Sequence, residues 1–114
     1  MALSPTARTI KELEKRGYVV DIAERRISRK VTKDLFGFID IVALWPHPFT
    51  RHTIGVQATD GSHHSKRRRK IIAEPRARAW IKAGGRIEVW SWRENAKGVW
   101  VPRVEEITVE ILDA

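Results

Sequence analysis

One aspartate stands inside a strongly apolar run of the sequence. Asp40 lies in segment 36–44, FGFIDIVAL, in which nearly every other residue is apolar. A carboxylate that is buried alone is costly, so this side chain must be paired with a cation, protonated or bound to a metal ion. The chain contains 22 lysines and arginines, so an arginine partner and a metal site both stay open as interpretations of Asp40.

A second polar pair interrupts the next apolar segment. Gln57 and Thr59 lie in residues 53–59, TIGVQAT, and residues two apart in a strand face the same side. If this strand and segment 36–44 are neighbours, Asp40 and Gln57 can meet across them. The alternative for Gln57 is a buried amide whose partners are backbone groups.

The positive charge of the chain is concentrated in one segment. Residues 61–86 hold nine basic residues and one acidic residue, a net charge of +8, while the rest of the chain is neutral. Charge concentrated in this way indicates a polyanionic partner. Nucleic acid is the commonest such partner, and an anionic membrane surface is the other candidate. The alternative is a helix face that is merely solvated. A protein that contacts phosphates recognises the shape of a nucleic acid rather than the edges of its bases. The candidate phosphate contacts are Lys66, Arg67, Arg68, Arg69, Lys70 and Arg76.

Two adjacent histidines precede the basic run. His63 and His64 are candidate general bases or phosphate contacts, because the unperturbed pKa of histidine lies near 6.5. Neighbours on a helix point about 100° apart, so the two side chains do not suit one metal ion. A polar first helical turn without further function is the alternative. His47 and His52 fall in a predicted loop and indicate no function.

The predicted elements alternate between helices and strands in a way typical of an α/β fold. Ser4 and Pro5 suit the start of a helix, and Gly17 suits its end. Pro75 either kinks the basic helix or begins a second one. The order is α-β-β-β-α-β-β, a mixed sheet flanked by helices. The predicted elements are a helix over 5–17, strands over 18–24, 36–44, 53–59 and 86–92, a loop or hairpin over 25–33, a helix from about 63 to 83, and one strand or two short strands over 100–112.

This layout resembles that of the PD-(D/E)XK nucleases. The segments DLFGFID (34–40) and GVQAT (55–59), followed by a basic helix, look most like small phage-encoded and Holliday-junction-resolvase-like members, and the resemblance covers roughly residues 5–92. It implies a restriction-endonuclease-like fold in a single nuclease-like domain over residues 1–114. It also implies a Mg²⁺- or Mn²⁺-dependent endonuclease that hydrolyses DNA, with branched or structured DNA as one substrate class.

The resemblance also implies roles for individual residues. Asp40 matches the metal-binding aspartate, Gln57 stands where the family has its second acidic ligand, and the carbonyl of Ala58 matches the main-chain ligand. Thr59 occupies the position of the catalytic lysine. Glu24, at the end of the first strand, is a candidate third ligand.

Two departures from the family pattern keep an alternative open. Thr59 carries no charge, so Lys66 or Lys70 would have to replace the lysine, and Thr6 falls near the position of the family's early helical glutamate. With one carboxylate and one amide as ligands, Mg²⁺ would bind weakly. A catalytically impaired nucleic-acid-binding module of the same fold is therefore the second interpretation, and binding to RNA instead of DNA is a third.

Composition excludes several other classes of protein. The 114 residues suit one domain, and the absence of cysteine excludes a disulfide framework, a zinc finger and thiol catalysis. No apolar run is long enough to span a bilayer, and the first residues do not read as a signal peptide. We expect a cytoplasmic protein, prokaryotic or phage-encoded, with no membrane partner. Three of the five tryptophans, Trp90, Trp92 and Trp100, could form the interface of a homodimer, although core packing is the commoner role.

Overall fold

The computed structural model describes residues 3–48 and 53–114, which form a five-stranded mixed sheet flanked by helices. This confirms the predicted mixed α/β class. His52, in the predicted loop, lies outside the described residues. The elements in chain order are α1 (Pro5–Lys15), β1 (Val19–Ile22), β2 (Arg25–Arg26), β3 (Thr32–Lys33), β4 (Ile41–Leu44), β5 (Thr53–Asp60), a 3-10 turn (Gly61–His63), α2 (His64–Ile72), α3 (Pro75–Lys82), β6 (Arg86–Glu94), β7 (Trp100–Glu106) and α4 (Val109–Asp113).

The sheet has the order β1-β4-β5-β6-β7, with β5 at its centre. β4 pairs with β5 antiparallel, whereas β5 pairs with β6 parallel. A parallel pair needs a long crossover connection, and here residues 61–85 supply it with α2 and α3. The basic segment of the sequence is therefore the crossover between two central strands.

Two apolar layers hold the helices against the sheet. On one face Leu13 of α1 packs against alternate residues of β4 and β5, including Ile41 and Val56. On the other face Ile71 of α2 and Ala77 of α3 pack with Ile87 of β6. The predicted alternation of β5 is correct, because its apolar residues face α1 while Gly55 lies against Ile39 and Trp80 in the second layer.

The N-terminal helix begins as its sequence predicts. The hydroxyl of Ser4 accepts a hydrogen bond from the backbone N–H of Ala7 at 3.1 Å, and Pro5 occupies the first turn, where its missing N–H costs nothing. The helix ends at Lys15, and Gly17 follows with a φ of +100°, a conformation that glycine adopts without strain. Both ends of α1 are therefore fixed by capping residues.

The predicted strand over 36–44 is wrong in its first half. β4 begins only at Ile41, because Phe36 (φ 53°) and Gly37 (φ 78°) form a tight turn. In this turn the N–H of Gly37 donates to the carbonyl of Asp34 at 3.1 Å. The residues after it are apolar because Phe38 is buried in the core, not because they extend a strand. Asp40 consequently lies at the entry of a short strand rather than in the middle of a long one.

The structure adds the strands β2 and β3 and the helices α3 and α4 to the predicted order of elements. Of the two alternatives predicted for residues 25–33, a loop or a hairpin, the structure has the hairpin, and Pro75 begins a second helix, which is one of the two alternatives predicted for it. The last segment was expected to be extended throughout 100–112, but β7 ends at Glu106. Thr108 then caps α4, its hydroxyl accepting from the N–H of Ile111. Within residues 3–48 and 53–114, no helix is long and apolar enough to cross a lipid bilayer.

Two of the three tryptophans proposed for a dimer interface belong to the core. Trp90 donates its indole N–H to Glu88 at 2.9 Å, and Trp92 donates to the hydroxyl of Thr9 at 2.8 Å. Both rings are buried on the α1 face of the sheet, so they are not available to a second copy of the chain. Trp100 is 38% exposed, with the guanidinium of Arg8 lying 4.3 Å from its ring centroid.

Candidate functional site

Asp40 lies where β4 and β5 first separate. Its backbone N–H donates to the carbonyl of Val56 at 3.0 Å. Its Oδ2 accepts a hydrogen bond from Nε2 of Gln57 at 2.9 Å, and both carboxylate oxygens lie 3.2 Å from the backbone N of Ala58. The predicted meeting of Asp40 and Gln57 across neighbouring strands is therefore confirmed.

The surroundings of Asp40 favour its protonated form. The pKa of Asp40 is raised from 3.8 to about 7, chiefly by burial and in smaller part by the nearby carboxylates of Asp34 and Glu24, while the N–H of Ala58 acts in the opposite direction. Arg67 lowers this pKa by its charge. In the described part of the chain, no cationic nitrogen lies within 4.0 Å of the carboxylate, so the ion-pair interpretation of Asp40 is wrong. The two interpretations of Asp40 that remain are a protonated carboxyl group and a carboxylate that binds a metal ion.

The carboxyl group opens into a polar cavity of about 280 Å³. Three carboxylates and two cationic side chains surround this space, the acidic cavity. Such a cavity offers both oxygen ligands and positive charge. Its lining consists of Thr6, Glu24, Thr32, Asp34, Asp40, Gln57, Ala58, Arg67 and Lys70.

Two side chains at the acidic cavity have polar atoms without partners. Gln57 is 2% exposed, and neither its Oε1 nor Nε of Arg67 has a hydrogen-bond partner among the described residues. A buried polar atom without a partner costs about 1–3 kcal/mol, so each such atom needs an explanation. An anion that accepts from Arg67, together with a cation or a hydrogen-bond donor at the Gln57 oxygen, would satisfy both.

The donor set at Asp40 fits a hard divalent cation in its chemistry. Asp40 and Gln57 offer carboxylate and amide oxygens, and the carbonyl of Ala58 points to the same strand edge as its N–H does. Mg²⁺ takes oxygen ligands and keeps several waters. Across residues 3–48 and 53–114 no three His, Cys, Asp or Glu side chains converge on one point. The amide, backbone and water ligands are thus needed to complete a metal site.

The other residues predicted for the site divide between the acidic cavity and its surroundings. Glu24, the predicted third ligand, lines the cavity, and so does Thr6. Thr59, predicted to stand in place of a catalytic lysine, is buried and does not line the cavity. Lys70 lines the cavity and lies 2.8 Å from Asp34, whereas Lys66 does not reach it.

The basic residues of α2 and α3 point in several directions. Arg67 and Lys70 face the acidic cavity, while Nε of Arg68 lies 3.0 Å from Glu105 on β7. Lys66 and Arg69 are exposed to solvent. Arg76 is exposed, forms a 2.8 Å ion pair with Glu74, and borders a neighbouring cleft. The charge of the crossover is therefore spread around the helix, with two of its cations aimed at Asp40's cavity.

The structure corrects the assignment of His64 as a nucleic-acid contact. His64 is 2% exposed; its Nδ1 lies 2.6 Å from Oγ of Ser91, and its Nε2 lies 2.8 Å from Glu105. This ring joins α2 to β6 and β7, so no phosphate can reach it. His63 is exposed, with Nδ1 2.9 Å from Asp60, and it stays a candidate contact.

Sequence reasoning did not assign a role to two residues of the acidic cavity. Asp34 and Thr32 belong to the segment that leads into the turn at Phe36. Asp34 was part of the motif DLFGFID, but its charge was attributed to no site. An acid six residues before another in a strand would lie on the same face about 20 Å away. Only the turn brings Asp34 beside Asp40, and its signal was Gly37.

No known protein family, curated protein or solved structure matches this chain.

Proposed function

We propose that this protein is a metal-dependent endonuclease that hydrolyses the phosphodiester backbone of DNA. One observation supports the proposal above the others: among the described residues no cation lies within ion-pair distance of the buried Asp40, and Asp40 opens into a cavity that Arg67 and Lys70 also line. A carboxylate in that position suits a divalent cation, and the two cationic side chains suit a phosphate. Phosphodiester hydrolysis needs both at one place.

The residues of the acidic cavity have separate parts in this proposal. Asp40, Gln57 and the Ala58 carbonyl would hold Mg²⁺ or Mn²⁺, with Glu24 as a further oxygen donor on the cavity wall. The bound cation would supply charge neutralisation at the phosphate and a more acidic water. Arg67 has an unpartnered Nε and can donate to a phosphate oxygen.

The exposed cations of the crossover hold the rest of the DNA in this proposal. Lys66 and Arg69 are exposed on α2, and Arg76 is exposed at the start of α3. Contacts of this kind go to the sugar–phosphate backbone, so they position the DNA without reading its sequence. Shape and branching of the DNA, rather than base identity, are then the basis of substrate choice.

A nucleic-acid-binding module without catalysis is the second candidate function. It is favoured by Thr59, which is uncharged and lies outside the acidic cavity, and by Nε2 of Gln57, whose N–H rather than its oxygen faces Asp40. In this alternative the Gln57 amide replaces a cation as the partner of Asp40. The basic surface is the same in both functions, so only turnover separates them.

The deciding experiment compares cleavage with binding on the same substrates. Duplex, single-stranded and branched DNA and a structured RNA are incubated with the protein in Mn²⁺ or in EDTA. We expect DNA cleavage in Mn²⁺ that is lost in EDTA and in Asp40→Ala, with folding and binding retained. Asp21→Ala is the matched control, because Asp21 is an exposed aspartate on the edge strand β1.

Each other outcome identifies a different function. Salt-sensitive binding without cleavage on any substrate would leave the non-catalytic module. A much higher affinity for the structured RNA than for any DNA would assign the protein to RNA instead. Cleavage that survives Asp40→Ala would show that the reaction takes place elsewhere on the chain.

A further inference from the structure

The hairpin formed by β2 and β3 is separate from the main sheet. Arg25 pairs with Lys33 and Arg26 with Thr32, while the N–H of Ile27 donates to the carbonyl of Val31 at 2.9 Å. Its strands belong to a two-stranded sheet of their own, and residues 25–33 are all exposed. A two-stranded ribbon of this kind is marginal without a partner, and the central sheet is complete without it.

The charge of the hairpin has one sign. Within residues 25–33 there are five cations and no acid, and none of the five forms an ion pair with a described residue. The cations stand on both strands and in the connecting turn, so positive charge follows both edges of the ribbon. They are Arg25, Arg26, Arg29, Lys30 and Lys33.

The base of the hairpin borders a cleft of about 700 Å³ beside the acidic cavity. Arg25 and Lys33 line this cleft together with Lys70 and Arg76 from the crossover helices. Lys70 also lines the acidic cavity, so the two spaces adjoin. The hairpin and the crossover therefore both contribute cations to the lining of one cleft.

The hairpin also exposes an apolar pair. Ile27 and Val31 are 50% and 45% exposed, and as cross-strand neighbours they share a face with each other and with Arg25 and Lys33. Exposure of these β-branched side chains to water is unfavourable. At the end of a charged ribbon they could instead pack against the sugars and base edges of a nucleic acid. This face continues from the cleft toward the turn.

We propose that the β2–β3 hairpin is an arm that enters the major groove of double-helical DNA lying in this cleft. The major groove, about 12 Å wide, admits a two-stranded ribbon. Cations on both edges of the ribbon then meet the two phosphate strands, and Ile27 and Val31 contact the groove floor. The proposal rests on the proposed function, in which DNA is the polymer bound. It adds that the bound DNA is double-stranded.

The test removes three of the five hairpin charges and leaves unchanged the residues that line the cleft and the acidic cavity. The variant is Arg26→Gln/Arg29→Gln/Lys30→Gln, and the control, of equal net charge, is Lys11→Gln/Lys15→Gln/Arg103→Gln on exposed positions of α1 and β7. Dissociation constants are measured for a duplex and for its single strand over a series of salt concentrations. Thermal melting checks that both variants fold.

We expect the hairpin variant to lose roughly 10- to 100-fold in duplex affinity, with a log–log salt slope smaller by about 2 to 3, and the control to change much less. Single-strand affinity should fall less than duplex affinity in the hairpin variant. Two results would contradict the proposed arm: equal losses of duplex affinity in the hairpin variant and the control, or equal losses of affinity for duplex and single strand in the hairpin variant. Ile27→Ser/Val31→Ser should weaken duplex binding while leaving the salt slope unchanged.

The same samples separate this proposal from the endonuclease. If the duplex-specific loss is found but no variant or parent cleaves DNA in Mn²⁺, the arm stands and the catalytic proposal fails. If the parent cleaves DNA and the hairpin variant binds duplex like the control, the arm fails and the catalytic proposal stands.

Discussion

The side-chain amide of Gln57 donates to the carboxylate of Asp40 at 2.9 Å, although its own carbonyl oxygen has no partner. The pair lies at the edge where β4 and β5 part, on the wall of the acidic cavity. The carboxylate of Asp40 thus accepts a hydrogen bond from the Gln57 amide, while the amide oxygen of Gln57 lacks a donor among the described residues. A half-turn of the amide would place that oxygen beside Asp40, an exchange that suits a protonated carboxyl or a shared cation.

The stability of the protein should depend on pH through Asp40. Burial raises the pKa of Asp40 from 3.8 to about 7, so between these values the folded state keeps a proton that the unfolded chain has released. The free energy of unfolding should therefore fall as the pH rises through this range, by on the order of 4 kcal/mol. Denaturant unfolding at a series of pH values measures the slope.

Asp40→Asn removes the titrating carboxyl group and so tests the same pH dependence more directly. The asparagine carbonyl can still accept from Ala58, and its N–H can donate to the unpartnered oxygen of a flipped Gln57. We expect a flatter stability profile and a variant more stable than the parent above neutral pH. Asp21→Asn, at an exposed site, should leave the profile as it is. A parent profile that Asp40→Asn does not alter would contradict the buried, protonated aspartate.

Divalent cations should stabilise the protein more strongly as the pH rises. A cation and a proton compete for the Asp40 carboxylate, whose pKa burial raises to about 7. The shift in melting temperature caused by Mn²⁺ should grow from mildly acidic to mildly alkaline pH and vanish in Asp40→Asn. Differential scanning fluorimetry with and without EDTA measures this without any substrate. A shift of equal size in Asp40→Asn would place the cation elsewhere.

Arg67 and Arg69 should separate turnover from binding, although they lie two residues apart on α2. Arg67 lines the acidic cavity with an unpartnered Nε, whereas Arg69 is exposed. Arg67→Gln should lower kcat by roughly 10²- to 10³-fold, the usual loss of one donor to developing negative charge. Arg69→Gln should weaken DNA binding and lower its salt slope by about 1 with little effect on kcat. Single-turnover cleavage at saturating protein distinguishes the two, and equal effects on kcat would contradict the assignment of Arg67.

The two adjacent histidines should differ strongly in their contribution to stability. His64→Ala removes hydrogen bonds to Ser91 and Glu105 from a buried position, which should cost about 2–4 kcal/mol. His63→Ala removes only an exposed contact with Asp60 and should change stability by less than about 0.5 kcal/mol. Urea unfolding of both variants provides the comparison. Equal losses would mean that His64 does not join α2 to the sheet.

The sequence predicted the parts of the site that depend on strand periodicity. Asp40 and Gln57 meet because β4 and β5 are antiparallel neighbours, and the pairing of Ile41 with Val56 places Asp40 opposite Gln57 on one face. The turn at Phe36 and Gly37 was not predicted, since Phe38 and Ile39 are as apolar as strand residues when they fill the core. Burial and extended structure leave the same pattern over so short a run, so the approach of Asp34 was missed as well.

Other errors came from side chains whose environment is set by distant strands. His64 is polar and stands beside five cations in sequence, yet Ser91 and Glu105 from β6 and β7 enclose it. Trp90 and Trp92 share the strand face that was predicted, but that face is covered by α1. Periodicity shows which residues lie together, and it carries no information about which element covers them.

The parallel pairing of β5 and β6 constrains how this chain can vary. Residues 61–85 must carry the backbone from the end of one central strand back to the start of its parallel neighbour, a return of about 26 Å along an eight-residue strand. Deletion of α2 or α3 would therefore break the sheet as well as remove the charge. The exposed cations of this stretch, such as Lys66 and Arg69, are under no such constraint, because they can be substituted without shortening the crossover.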